Sequence, residues 1–278
     1  MVAVATLTLN NGIVMPRLGL GTAGAGDAET RRRVRDALEV GYRLIDTAAK
    51  YGNEVGVGQG IVDAGVPRAE LFVGTKLRGA EQGYASTRKA LEASLQRLGL
   101  DYVDLYLIHW PLPRLALYVE SWHAMEELLA EGKVRAIGVS NFLAEHLDRL
   151  AATSSVVPAV NQIELHPRLP QAEQRADNAR RGIVTQSWSP LAKAGDVLRE
   201  PALAQVARRH DKTPVQVILR WHIQLGLVPI PKASHIDRLR QNLEVFDFEL
   251  ADDDLAQIAA LETGSRVGNQ DPRTHEEF

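Results

Sequence analysis

Seven short apolar runs recur along this chain of 278 residues, and each ends in a side chain that can take part in chemistry. The residues that follow the runs are Asp46, Lys76, His109, Ser140-Asn141, Gln162, Trp188 and Lys232. If the runs are parallel strands, these side chains meet at one end of one sheet. Enzymes built as (β/α)8 barrels have their active sites at that end, because the loops there follow the carboxyl ends of the strands. The pattern therefore predicts an enzyme.

Segments with helical patterning separate the runs. Counting Arg17–Leu20 as a first strand gives eight strand candidates at a spacing of roughly 30 residues, which is the size of a βα repeat. The runs are continuously apolar rather than alternating, as in parallel strands covered by helices. We predict an α/β fold, a (β/α)8 TIM barrel, that occupies residues 1–278 as a single domain.

Two segments lie outside the repeat. Near the start, TLTL and IVMP flank Asn10-Asn11-Gly12, and Asn-Gly supplies the positive φ angles of a tight hairpin turn. We expect this N-terminal β-hairpin to plug or cover one end of the barrel. The polar segment 265–278 is predicted to be a mobile loop over one face.

Composition removes several classes of function. The net charge of -3 gives no electrostatic reason to expect nucleic acid or an anionic membrane as partner. With no cysteine, thiolate nucleophiles and thiolate zinc sites are excluded, and none of the eight histidines falls in an HExxH pattern, so we expect no metal site. The chain contains no apolar stretch of about 20 residues, and its first residues do not read as a secretory signal. We expect a cytoplasmic protein.

One local motif favours a different fold. Gly19, Gly21 and Gly24 match GxGxxG after an apolar strand, and Asp46 ends the next strand, as in a dinucleotide-binding Rossmann unit. Polar strand ends nevertheless continue through seven units instead of stopping after two. We therefore favour the barrel and keep the doubly wound fold as the alternative.

The sequence resembles the aldo-keto reductase family nearly end to end, and within it the compact bacterial 2,5-diketo-gluconate reductase type. The segments that carry the resemblance, in order, are GYRLIDTAAKYGNEVGVG, FVGTKL, LDYVDLYLIHWP, IGVSNF, PAVNQIELHP, SPL and IPKAS. The resemblance implies a catalytic tetrad of Asp46, Tyr51, Lys76 and His109.

The chemistry of these side chains fits that role. A free tyrosine has a pKa of about 10, so it is a slow proton donor at neutral pH, and a neighbouring lysine ammonium lowers that pKa. The resemblance implies that Asp46 holds Lys76 charged. Tyr51 would then protonate a carbonyl oxygen that His109 orients, while hydride arrives from a reduced nicotinamide.

The resemblance also implies a cradle for NADPH. Ser140, Asn141 and Gln162 would bind the nicotinamide amide, and Trp188 would stack on the ring where many relatives have tyrosine. Lys232, Ser234 and Arg238 would hold a 2′-phosphate, although Ala233 departs from the Ser or Thr common there. The remaining implied contacts are Gly21, Thr22 and Asp46 beside the nicotinamide, Ser189 and Leu191 at the pyrophosphate, and Gln241 and Asn242 at the adenine.

The substrate pocket is less constrained by sequence. Trp110 is expected to form an apolar wall, and Ala23 and Arg78 stand where relatives commonly carry aromatic residues. Arg78 either attracts a carboxylate or points into solvent. The expected substrates are small carbonyl compounds such as dicarbonyls and keto-sugar acids, and we expect a monomer.

Two other functions are compatible with a barrel. Lys76 or Lys232 could form the Schiff base of an aldolase, or the barrel could bind NADPH without catalysis. Among the other histidines, we predict that His166 and His222 are structural. Four more are expected at the surface: His123, His146, His210 and His275.

Overall fold

The computed structural model describes residues 4–277, and its centre is a sheet of eight parallel strands. The barrel strands are β3 (Gly19–Gly21), β4 (Leu44–Asp46), β5 (Phe72–Leu77), β6 (Leu105–Ile108), β7 (Ile137–Ser140), β8 (Val160–Glu164), β9 (Val184–Trp188) and β10 (Val228–Pro229). Each pairs with the next along the chain. The N–H of Gly21 donates to the Pro231 carbonyl at 3.0 Å, so the sheet nearly closes between its first and last strands. The (β/α)8 barrel prediction is confirmed.

The register of the strands brings their polar ends to one level. Asp46 lies opposite Gly21 on one side and Gly74 on the other, and Ser140 lies opposite Gln162. The strands β5 to β8 are buried along their whole length. Apolar residues dominate β6 and β7, as in parallel strands covered by helices, whereas β5 and β8 also carry buried polar residues such as Lys76 and Gln162.

Ten α-helices occupy the described residues. They are α1 (Asp27–Val40), α2 (Glu54–Ala64), α3 (Tyr84–Leu98), α4 (Tyr118–Ala130), α5 (Ala144–Ala151), α6 (Ala172–Arg180), α7 (Pro201–Arg209), α8 (Pro214–Gln224), α9 (Ile236–Leu243) and α10 (Asp252–Ala259). Several end at a glycine in the left-handed region, for example α1 at Gly41 with φ 114°. None of these helices is both long enough and apolar enough to cross a bilayer.

The predicted hairpin closes the amino end of the barrel. Strand β1 (Thr6–Thr8) pairs antiparallel with β2 (Val14–Pro16). The buried side chains of Leu9 and Met15 pack in one cluster with residues that begin barrel strands, including Leu44 and Phe72. The carboxyl end of the barrel is left for a site.

Candidate active site

Four polar side chains meet at the carboxyl end of the barrel around the ammonium of Lys76, which is fully buried. Its Nζ donates to Asp46 Oδ2 at 2.7 Å, to the Thr47 carbonyl at 2.9 Å and to Tyr51 Oη at 3.4 Å. The rings of Tyr51 and His109 meet edge to face with their centroids 5.8 Å apart. The structure thus brings together the four residues that the sequence predicted as a catalytic tetrad.

The buried ion pair determines the charge state of Lys76. Burial lowers the pKa of Lys76, but Asp46 and Tyr51 together raise it above the ordinary value. Gln162 donates to the second carboxylate oxygen, Asp46 Oδ1, at 2.8 Å, so both oxygens are satisfied. Lys76 is therefore an ammonium at neutral pH, which is unsuited to Schiff-base formation because that chemistry needs a neutral amine.

The pKa of the Tyr51 hydroxyl is shifted in the direction opposite to the one expected from its lysine neighbour. Burial raises the pKa of Tyr51, and although the Lys76 ammonium opposes that shift, the pKa stays above its ordinary value. The neighbouring ammonium follows from the sequence, whereas the desolvation of the phenol depends on how the whole site is packed. At neutral pH the hydroxyl keeps its proton and can donate it.

These groups open onto a cleft of about 730 Å³. Its lining includes most of the predicted site residues, namely Gly21, Thr22, Ala23, Asp46, Tyr51, His109, Trp110, Asn141, Gln162, Trp188, Ser189, Leu191 and Lys232. Such a volume is typical of sites that take a cofactor or a small organic ligand.

One wall of the cleft is a fixed indole ring. Trp188 ends β9 and is partly buried, and its Nε1 donates to Asn141 Oδ1 at 2.8 Å. The Nδ2 of Asn141 donates in turn to the His109 carbonyl at 3.0 Å. Asn141 and Ser189 both take left-handed backbone, with φ 63° and 49°. Loop residues held in that conformation by such bonds present a preorganised surface.

The lining of the cleft also carries positive charge. Lys232 and Lys193 line the cleft, and burial together with the charges of Arg33 and Lys193 lowers the pKa of Lys232. A group of neighbouring cations in a cleft favours a polyanionic ligand. Arg33 and Lys193 were not predicted from the sequence. Arg33 lies on α1, away from the strand ends, and Lys193 lies five residues beyond Trp188 in the loop after β9.

Other predicted residues do not reach the cleft wall. Ser140 is fully buried and donates to the Gln162 carbonyl at 2.8 Å. Asn242 on α9 is buried beside the Tyr42 hydroxyl, whereas Arg238 and Gln241 are exposed on the same helix. Arg78 is half-buried, and its Nε has no hydrogen-bond partner. Ser234, like these residues, lies outside the lining.

The histidines follow the predictions in part. His166 and His222 are buried and hydrogen-bonded inside the fold. The surface prediction is wrong for His146, which is 4% exposed and packs edge to face on Phe142. It is also wrong for His275, which lines the cleft and packs on Trp110 with centroids 4.2 Å apart.

The polar segment after α10 lies over the same face, as predicted. Residues 270 and 275–277 line the cleft, and Glu277 lies against His109. Their participation was missed because the segment has no periodicity that fixes where it packs.

Comparison with known proteins bears on the nature of this cleft. The family model described as the Aldo/keto reductase family matches residues 17–263. An aldo-keto reductase of Mycolicibacterium smegmatis is 51% identical over 268 residues, which is 96% of this chain and 97% of the relative. Morphine 6-dehydrogenase of Pseudomonas putida is 49% identical over 279 residues, covering 96% and 94% of the two chains. A solved structure, a Gox0644 mutant in complex with NADPH, aligns with a TM-score of 0.94 at 43% identity over 99% of both chains.

Proposed function

The chain belongs to the aldo/keto reductase family, and we propose that it reduces the carbonyl group of small aldehydes and ketones with NADPH as the hydride source. The observation that carries the proposal is the buried Lys76 ammonium, shared by Asp46 at 2.7 Å and Tyr51 at 3.4 Å. That arrangement serves proton donation by a phenol.

The residues present fit the cofactor. The anchored ring of Trp188 offers a flat face for a nicotinamide, and Lys232 and Lys193 in the cleft lining would neutralise phosphates of a bound dinucleotide. We assign the binding of the nicotinamide end to Gly21, Thr22, Asp46, Asn141 and Gln162. Ser140 would act indirectly, because its Oγ accepts a hydrogen bond from Asn141 Nδ2 at 3.1 Å. The proposed contacts further out are Ser189, Leu191, Ser234, Arg238, Gln241 and Asn242.

The proton would come from Tyr51. Because its pKa is raised, the phenol is protonated at neutral pH, and the Lys76 ammonium stabilises the phenolate left after transfer. His109 would orient the carbonyl oxygen by a hydrogen bond, a role that requires position. The bound nicotinamide supplies the hydride that reaches the carbonyl carbon. Trp110, which is 5% exposed, would exclude water beside that carbon.

The substrates we propose are small dicarbonyls and keto-sugar acids. The walls available to them are the Trp110 ring and the small Ala23 side chain, with Lys50 exposed at the rim. We also propose that the protein works as a cytoplasmic monomer with one barrel domain over 1–278. Light scattering on the purified protein should give the mass of a single chain, and a dimer mass would contradict this.

The direct test follows NADPH absorbance with a panel of aldehydes, ketones and sugar acids. We expect Tyr51→Phe to bind NADPH as tightly as the parent and to lose at least about 10²-fold in kcat. Tyr84→Phe is the matched control, since Tyr84 lies on the surface of α3 with 41% exposure. A Tyr51→Phe variant as fast as the parent would refute the mechanism.

Cofactor preference has its own test. We expect NADPH to bind more tightly than NADH, and Lys232→Ala and Arg238→Ala each to weaken NADPH more than NADH. Equal affinities for the two cofactors in the parent protein, or unchanged NADPH affinity in Arg238→Ala, would remove the assignment of the 2′-phosphate to these residues.

A further inference from the structure

The segment 265–277 is tied down at both of its ends across the mouth of the cleft. At its start, the N–H of Val267 donates to Glu164 Oε1, and Glu164 is fully buried at the end of β8. Near its end, His275 packs on the Trp110 ring. The segment is therefore part of the wall that a substrate would meet.

The last described residue makes the contact closest to the tetrad. Glu277 is 6% exposed, and its Oε1 lies 2.7 Å from His109 Nδ1. Its Oε2 accepts the N–H of Gly79 at 3.1 Å. Among the described residues, no group makes an in-line hydrogen bond to His109 Nδ1, and the Glu277 carboxylate is the charged group in contact with this ring nitrogen.

The fold makes room for this contact at a glycine. A Cβ on Gly79 would lie 2.0 Å from the Glu277 carbonyl oxygen, closer than any real contact. Any other residue at position 79 would push the end of the chain away from His109. Gly79 comes soon after the end of β5, so the segment 265–277 packs next to the strand that carries Lys76.

The carboxylate is charged at neutral pH. Burial raises the pKa of Glu277, but the contact with His109, the Gly79 N–H and the charge of Lys50 outweigh it and leave the pKa below its ordinary value. His275 and Tyr51 are the other titratable groups that sense this carboxylate.

We propose that Glu277 is a positioning residue, which holds the His109 imidazole from the C-terminal segment in the orientation needed to bind a substrate carbonyl. The inference rests on the proposed function, because it concerns the ring assigned to orient the carbonyl oxygen. A misplacement of a catalytic group by about 1 Å can cost on the order of 10²-fold in rate.

The test compares three variants with one control. Glu277→Gln removes the charge, Glu277→Asp keeps it on a shorter stem, and Gly79→Ala displaces the segment without changing any charge. The control is Arg273→Gln, an exposed residue of the same segment whose ion pairs with Glu145 and Asp271 lie outside the cleft lining.

Two measurements separate positioning from general damage. Steady-state kinetics should show that Glu277→Gln and Gly79→Ala lower kcat about tenfold with unchanged NADPH affinity, while Glu277→Asp recovers part of the loss. In the ligand-free protein, the ¹H–¹⁵N signals of the His109 ring, assigned with His109→Gln, should move in both variants and stay in place in Arg273→Gln.

The outcomes are distinguishable. If Glu277→Gln changes neither the His109 signals nor kcat, the positioning role is wrong and carbonyl reduction stands. If the parent reduces none of the carbonyl panel while the His109 signals move in Glu277→Gln and Gly79→Ala, the proposed reaction is wrong and the contact that holds the ring stands. Weakened NADPH binding in proportion to the loss in kcat would make Glu277 merely structural.

Discussion

Replacing Lys76 by methionine tests the buried ion pair at the centre of the site. Methionine keeps the unbranched stem and removes the ammonium, so Asp46 is left with Gln162 as its side-chain donor at 2.8 Å. The side chains of Lys76 and Asp46 are 0% and 7% exposed, which means that water does not replace the lost partner. Removing one member of a buried pair costs about 3–5 kcal/mol. We expect the free energy of unfolding to fall by that amount.

A surface pair of the same length provides the control. Lys212 Nζ also lies 2.7 Å from a carboxylate oxygen, but its partner Asp247 is 58% exposed. Because exposed pairs contribute about 1 kcal/mol or less, Lys212→Met should change stability little. A large loss of stability in Lys76→Met beside a small loss in Lys212→Met would show that burial, rather than the N–O distance, determines how much an ion pair contributes to the free energy of unfolding.

The double variant separates stability from chemistry. Asp46→Asn with Lys76→Met leaves no charge at the positions of this buried pair, so most of the lost stability should return. Activity should not return, because Tyr51 still lacks the ammonium that stabilises its phenolate.

Urea unfolding followed by circular dichroism measures the free energy of unfolding of each variant, and NADPH oxidation measures its activity. In thermal unfolding, the single variant should melt roughly 6–20 °C below the parent. The reasoning is refuted if Lys76→Met unfolds within about 1 kcal/mol of the parent, or if the double variant is as unstable as the single one.

Three further outcomes are expected. Burial lowers the pKa of His222 from 6.5 to about 4 in the folded protein, so the unfolded chain binds a proton at a higher pH than the folded one. The free energy of unfolding should therefore fall by on the order of 3 kcal/mol as the pH drops from 6.5 to 4. In urea unfolding measured across this pH range, His222→Gln should show a flatter profile than the parent. Gly58→Ala should destabilise by at least about 1–3 kcal/mol because its Cβ would lie 2.1 Å from the Leu98 carbonyl oxygen, while Gly26→Ala, with nothing within 4 Å, should be nearly neutral in the same assay. Trp188→Ala should weaken NADPH binding roughly tenfold or more in a fluorescence titration, and unchanged affinity would exclude ring stacking.

The sequence by itself determined the barrel and the centre of the site. Strands buried on both sides are rich in Val, Ile and Leu, so runs of these residues at a spacing of one βα unit predict parallel strands. Parallel pairing then sends every strand end to the same edge. The meeting of Asp46, Lys76 and His109 follows from local sequence and this geometry alone.

Only the tertiary structure decided what closes over that edge and how water is excluded from it. Gly79 and Glu277 are 198 residues apart, and their contact depends on the path of a segment without periodicity. The raised pKa of Tyr51 likewise reflects desolvation by neighbours from several elements. Crowding of Arg33 and Lys193 against Lys232 exists only once α1 and the loop after β9 are packed together. Sequence patterns record which side of an element is buried, whereas contacts between irregular segments arise from packing of the whole chain.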